Sequence, residues 1–113
     1  MNDGAKKRLL SMVALARKAG KLTTGEEGCE KAIRQGIAHL VFVATDASAN
    51  TQKKFNNKAA FYGAQICALF TKEEIGRHTG LHNRATFVVI DENFANRMRE
   101  IIEGSDLADE DGQ

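Results

Sequence analysis

The run His39-Leu40-Val41-Phe42-Val43-Ala44-Thr45-Asp46-Ala47-Ser48 dictates the fold class. Residues 39–44 form a short apolar stretch rich in β-branched side chains, closed by turn chemistry at Thr45-Asp46, and this predicts a strand buried on both faces. Ser48 then offers a hydroxyl to cap a helix whose apolar positions Phe55, Ala59 and Tyr62 recur at helical spacing up to Gly63. A buried strand feeding directly into a helix is the repeating unit of an α/β protein.

The same alternation continues outward in both directions. Residues 65–70 (QICALF) predict a second buried strand, followed by a Thr71-x-x-Glu74 capping box and a short helix that Gly76 weakens and Gly80 ends. Residues 86–90 (TFVVI) predict another strand, and Asp91 caps a last helix whose stripe is Phe94, Ala95, Met98, Ile101 and Ile102. Towards the N-terminus, Leu9, Met12, Val13 and Ala16 line an amphipathic helix over residues 5–19 that Gly20 stops. Residues 21–23 are a candidate first strand, and Thr24-Gly25-Glu26-Glu27 reads as a capping box opening a helix that ends near Gly36 and buries Cys29, Ala32 and Ile33. The order α-β-α-β-α-β-α-β-α implies a three-layer α/β/α sandwich around a mixed central sheet of about four strands.

With 113 residues, one domain is expected. Composition is ordinary for a globular protein, at 42% hydrophobic and 27% charged residues, and does not suggest disorder of the whole chain. The net charge of +1 conceals an uneven distribution: residues 1–103 carry 16 positive and 11 negative side chains, a net of +5. A positive field of this size attracts polyanions such as nucleic acid. Residues 104–113 hold Asp106, Asp109, Glu110 and Asp111 with no positive charge, and are expected to be a disordered acidic tail beyond a single domain over 1–103. No apolar stretch approaches the ~18 residues of a membrane helix, and the N-terminus shows no secretory pattern, so the expected location is the cytoplasm, with no membrane partner. Cys29 and Cys67 sit in apolar patterns, as reduced core thiols do.

Catalytic and cofactor motifs are missing. Gly20-Lys21-Leu22-Thr23 has leucine where a phosphate-binding loop needs its magnesium-bound hydroxyl, and neither a dinucleotide fingerprint nor a nucleophile elbow occurs. His78 and His82 stand four apart, but Gly80 between them breaks the helix that would aim both at a metal. Glu26-Glu27 and Glu73-Glu74 fall in first helical turns, where negative charge offsets the helix dipole. No cofactor, metal or enzymatic activity is therefore expected.

The second helix carries the positive signal. Its start combines Gly25 and Gly28, which allow close approach, with Glu26, Glu27, Lys31 and Arg34. Glu27, Lys31 and Arg34 share a face that offers an acceptor for base edges and cations for phosphate, although Glu27 to Lys31 and Glu30 to Arg34 are also ordinary i,i+4 pairs. In the following helix Asn50, Lys54 and Asn57 share a face, with Lys53 and Lys58 nearby, and suit phosphate and sugar contacts or a plain solvated surface. The loop Gly80-Leu81-His82-Asn83-Arg84 places apolar and π-faced groups where unpaired bases could stack.

Three stretches in order, Gly25-x-Glu27-x-x-x-Lys31 with Gly36, HLVFVATDAS, and Glu74-Ile75-Gly76-Arg77-x-x-Gly80, resemble the kink-turn RNA-binding ribosomal protein family of large-subunit protein L seven-Ae and its L thirty-e relatives. The likeness spans about residues 5–103 and points to a small bacterial branch. It implies an α/β/α sandwich that binds sharply bent, structured RNA, ribosomal RNA foremost, in association with the ribosome. Further ribosomal, transcription or translation proteins are implied partners. By this resemblance Gly25 is the glycine entering the RNA-reading helix, Lys31 faces guanine edges and backbone, and Leu81 packs on extruded bases beside His82, Asn83 and Arg84. Asp46 matches an acidic turn that shapes the site. Glu27-Gly28 stands where most kink-turn binders have Asn-Glu, which implies a changed base preference. A protein-interaction adaptor using the same helix and loop is the alternative function, and an RNA-acting enzyme would have only Glu27, Lys31 and His82 as acid–base groups.

Overall fold

All four side chains of Leu40–Val43 are buried, as a strand covered on both faces requires. The structure, a computed structural model, describes the backbone of residues 2–80 and 84–111, and side chains up to 104. Among these residues the elements are α1 (Asp3–Lys18), β1 (Leu22–Thr24), α2 (Glu26–Arg34), β2 (Leu40–Val43), α3 (Ala49–Tyr62), β3 (Ile66–Cys67), α4 (Lys72–Thr79), β4 (Thr86–Val89) and α5 (Glu92–Asp111). The sheet order is β1-β4-β2-β3. β4 runs antiparallel to both β1 and β2, and β3 is parallel to β2, so the sheet is mixed as expected. Helices α2 and α3 pack together on one face, while α1 packs on α4 and α5 on the other.

The core follows from the register. Phe42 pairs with Phe87 across β2 and β4, which stacks their rings at 4.5 Å, and Phe70 stacks on Phe42 at 5.8 Å. Each such fully buried side chain contributes about 1.5–3 kcal/mol relative to exposure. Leu9, Val13, Cys29, Ile33, Phe55, Ile75 and Met98 join the core from the helices.

Local chemistry sets most helix ends. Ser48 Oγ accepts from Thr51 N at 3.1 Å, and Gly63 ends α3 in the left-handed conformation. Thr71 and Glu74 form the expected reciprocal box, with Thr71 N donating to Glu74 Oε1 at 3.0 Å and Glu74 N to Thr71 Oγ1 at 3.2 Å. Phe94 N donates to Asp91 Oδ2 at 2.9 Å, and Gly80 closes α4 while Gly76 lies buried inside it.

Three expectations need correction. The Thr24-x-x-Glu27 box does not form: Thr24 is held in β1 opposite Phe87, so Gly25 becomes the cap, without a side-chain hydrogen bond. The QICALF strand shrinks to two half-buried residues, because the chain beyond Cys67 leaves the sheet edge to insert Phe70 beneath Phe42. Glu30 pairs with Lys54 of α3 instead of Arg34, since α2 and α3 are packed side by side. Helix α5 runs from Glu92 to Asp111, with Gly104 inside it.

The register also determines which loops meet. Thr24 at the end of β1 pairs with Phe87, and Val43 at the end of β2 pairs with Thr86. The starts of α2 and α3 therefore share one end of the sheet with the segment preceding β4.

Candidate functional site

Gly25 is the pivot of that shared end. Its φ of 87° is a conformation that L side chains rarely adopt, and it turns the chain sharply from β1 into α2. A Cβ at this position would lie 2.9 Å from an Arg84 guanidinium nitrogen, so Arg84 rests directly over the glycine. Two segments distant in sequence, the helix start and the end of the loop before β4, are thereby joined in one surface. At Gly28 a Cβ would lie 2.8 Å from the Thr23 methyl group. The missing side chain at this position is what lets the first turn of α2 close on β1.

Beneath the turn, the Cys29 thiol donates to Thr23 O at 3.5 Å and accepts from Thr86 Oγ1 at 3.6 Å, linking α2 to β1 and β4. Burial pushes this thiol up to about 11, with the Thr86 hydrogen bond opposing the shift. It stays protonated at neutral pH, as a structural thiol does. Cys67 is half-buried and also raised, by burial first.

The polar face of α2 divides into engaged and available groups. Lys54 reaches Glu30 Oε1 at 2.6 Å and Glu26 Oε1 at 3.3 Å, and hydrogen bonds to Glu30 and then Glu26 raise the pKa of its ammonium. Glu30 Oε1 is shut off from water, which makes Lys54 its compensating charge. Glu26 thus faces α3 and is partly neutralised. Glu27, Lys31, Arg34 and Arg84 are exposed, and none forms an ion pair with another described residue. Because Gly25 supplies no acceptor, the first-turn amides of α2 are capped by no side chain.

Asp46 lies at the same end, but its Oδ1 accepts from Lys72 N at 2.8 Å and so holds the β2–α3 turn against the start of α4. Its structural part is to shape the surface. Leu81, His82 and Asn83 lie outside the described residues, as does one half of the His78–His82 pair. Sequence reasoning missed Lys54 as the partner of Glu26 and Glu30, and Thr23 as the group beneath Gly28. No local signal could have found them, because both contacts arise from packing.

A three-layer sandwich with a mixed sheet, gathering a glycine-turned helix start and the segment before β4 at one end, defines the class of this protein. The chain belongs to the Ribosomal protein L7Ae/L30e/S12e/Gadd45 family, whose model matches residues 7–98. Within that family it is similar to two proteins called RNA-binding protein YlxQ, which places it in the YlxQ branch. That of Enterococcus faecium is 41% identical over 104 residues, 92% of this chain and 100% of that protein. That of Bacillus subtilis (strain 168) is 33% identical over 92 residues, 81% of this chain and 92% of the relative. Among solved structures, a Bacillus halodurans C protein of unknown function aligns with a TM-score of 0.79 at 33% identity, covering 84% of this chain and 96% of that one. The Giardia lamblia 15.5kD RNA binding protein shares the fold, with a TM-score of 0.74 at 18% identity over 92% of this chain and 89% of its own.

Proposed function

We propose that this protein binds structured RNA at the end of the sheet where α2 begins, and that it is a binding protein of the cytoplasm rather than an enzyme. The observation that carries this reading is the seat of Arg84 over Gly25, which fuses the helix start and the loop before β4 into a single surface. The YlxQ relatives are described as RNA-binding, which supports the same ligand class. Arg84 offers a planar fork of donors for phosphate or a guanine edge, Lys31 a flexible cation, and the uncapped amides of α2 further donors. Glu27 accepts hydrogen bonds from base amino groups and repels phosphate, so it sorts bases rather than adding affinity. Kink-turn RNA within the ribosome is the target class this arrangement suits, with Leu81, His82 and Asn83 completing the contact to unpaired bases.

Filter binding at fixed salt, comparing a kink-turn hairpin with a straight duplex, tests the reading. We expect preference for the hairpin, and equal weak binding to both would sink it. Lys31→Ala and Arg84→Ala should each weaken the hairpin complex by about tenfold, with circular dichroism unchanged. Partners that survive nuclease treatment, with no hairpin selectivity, would instead indicate a protein adaptor.

A further inference from the structure

The outer face of α3 carries a row of side chains that the site at α2 does not use. At 3.6 residues per turn, Asn50, Lys53, Asn57 and Phe61 fall within about 80° of arc, and all four are exposed. The buried side of the same helix is formed by Phe55 and Ala59. No carboxylate occurs anywhere in α3, although it contains Lys53, Lys54 and Lys58. Phe61 is 79% exposed, and its ring meets Tyr62, 43% exposed, edge to face at 4.8 Å.

A single exposed phenylalanine would call for no explanation. Here the ring ends a row of amide and ammonium groups, and that combination matches a particular ligand. Ammonium and amide groups track a phosphate backbone, and an exposed aromatic face stacks on an unpaired base whatever its identity. A protein partner fits less well, because the cores of such interfaces are depleted in lysine and need apolar neighbours that this row lacks. The row is also continuous with the site at α2: its Asn50 end lies where β2 finishes, and Lys54 one row over is already bonded to Glu26 and Glu30. From Asn50 to Phe61 the helix rises about 16 Å, roughly the reach of five phosphates along a stacked strand.

We infer that the Asn50–Lys53–Asn57–Phe61 row of α3 is a second RNA contact, which takes single-stranded RNA leading away from the structured element held at α2, with Phe61 and Tyr62 stacking on a base. The inference extends the proposed function and rests on it for the RNA that brings such a strand into reach. Its own probe is a fluorescein-labelled twelve-nucleotide uridine RNA, with the kink-turn hairpin measured in parallel. The double variant Lys53→Ala/Phe61→Ala should weaken twelve-mer binding at least about fivefold and leave the hairpin within about twofold. Lys31→Ala should do the reverse, and Phe61→Trp should retain the twelve-mer because it retains the stacking face. Twelve-mer binding that is absent in the parent protein, or unchanged in the double variant, overturns the inference. Failure to prefer the hairpin over a duplex overturns the function proposed for α2 and leaves the twelve-mer result to be judged separately. Both substitutions lie on the exposed side of α3, so unchanged circular dichroism separates lost contact from lost fold.

Discussion

At Gly25 and Gly28 a hydrogen atom stands where any other residue would carry carbon. Gly25→Ala forces a side chain into a φ of 87° and against Arg84 at 2.9 Å, so we expect a loss of about 1–3 kcal/mol in denaturant unfolding, together with weaker RNA binding as Arg84 is displaced. At Gly28 two effects compete: alanine in the first turn of α2 gains less than the roughly 1 kcal/mol it gains in a helix interior, and its methyl would meet the stiff Thr23 side chain at 2.8 Å. Cys29 is the counterpart in the core. Its thiol is buried and held up to about 11, so only a minute fraction is thiolate at pH 8. In a Cys67→Ser background, maleimide should label Cys29 only as fast as the protein unfolds, and rapid labelling of Cys29 in the native state would contradict this environment.

At the scale of elements, α4 shows how a helix start holds layers together. Glu74 closes the box with Thr71 and also meets Lys6 of α1 at 2.8 Å. The hydrogen bond from Lys6, aided by the Thr71 amide against some desolvation, lowers the Glu74 pKa. A carboxyl lowered in the folded state stabilises it above the unfolded value, and that contribution is lost as pH falls through the folded value. Glu74→Ala should therefore cost about 1 kcal/mol at neutral pH, and the gap between variant and parent should shrink in acid, as followed by thermal unfolding across pH. The capping box of α4, the Ser48 cap and the Gly63 and Gly80 stops were all legible in sequence, because each is an exchange among residues three or four apart. The Thr24 box does not form because the competing claim on Thr24 comes from β4, which lies far away in sequence and leaves no local signal.

For the whole molecule, charge and core separate cleanly. The core ends with Ile101 and Ile102 packing from α5, and the acidic residues follow. A chain ending at Glu103 should unfold within about 2 °C of the full protein. It should bind RNA more tightly at low salt, since its net charge rises from +1 to +5, and the two affinities should converge as salt screens the tail. Fluorescence anisotropy over a salt series checks this, and equal affinities at low salt would show that the tail does not act through charge.

The layers of this protein are written in its local sequence pattern. The apolar runs at 39–44 and 86–90, too short for helices, had to be buried strands, amphipathic stripes had to cover them, and caps and glycines marked most of the ends, all through interactions confined to a few neighbouring residues. It also indicated Gly25 and Lys31, through spacing that resembles a known family. The position of β4 between β1 and β2, the seat of Arg84 on Gly25 and the bonding of Lys54 to Glu26 and Glu30 emerge only in the folded chain. Those pairings join residues far apart along the chain, and strand order and helix packing bring them together, which no local pattern encodes.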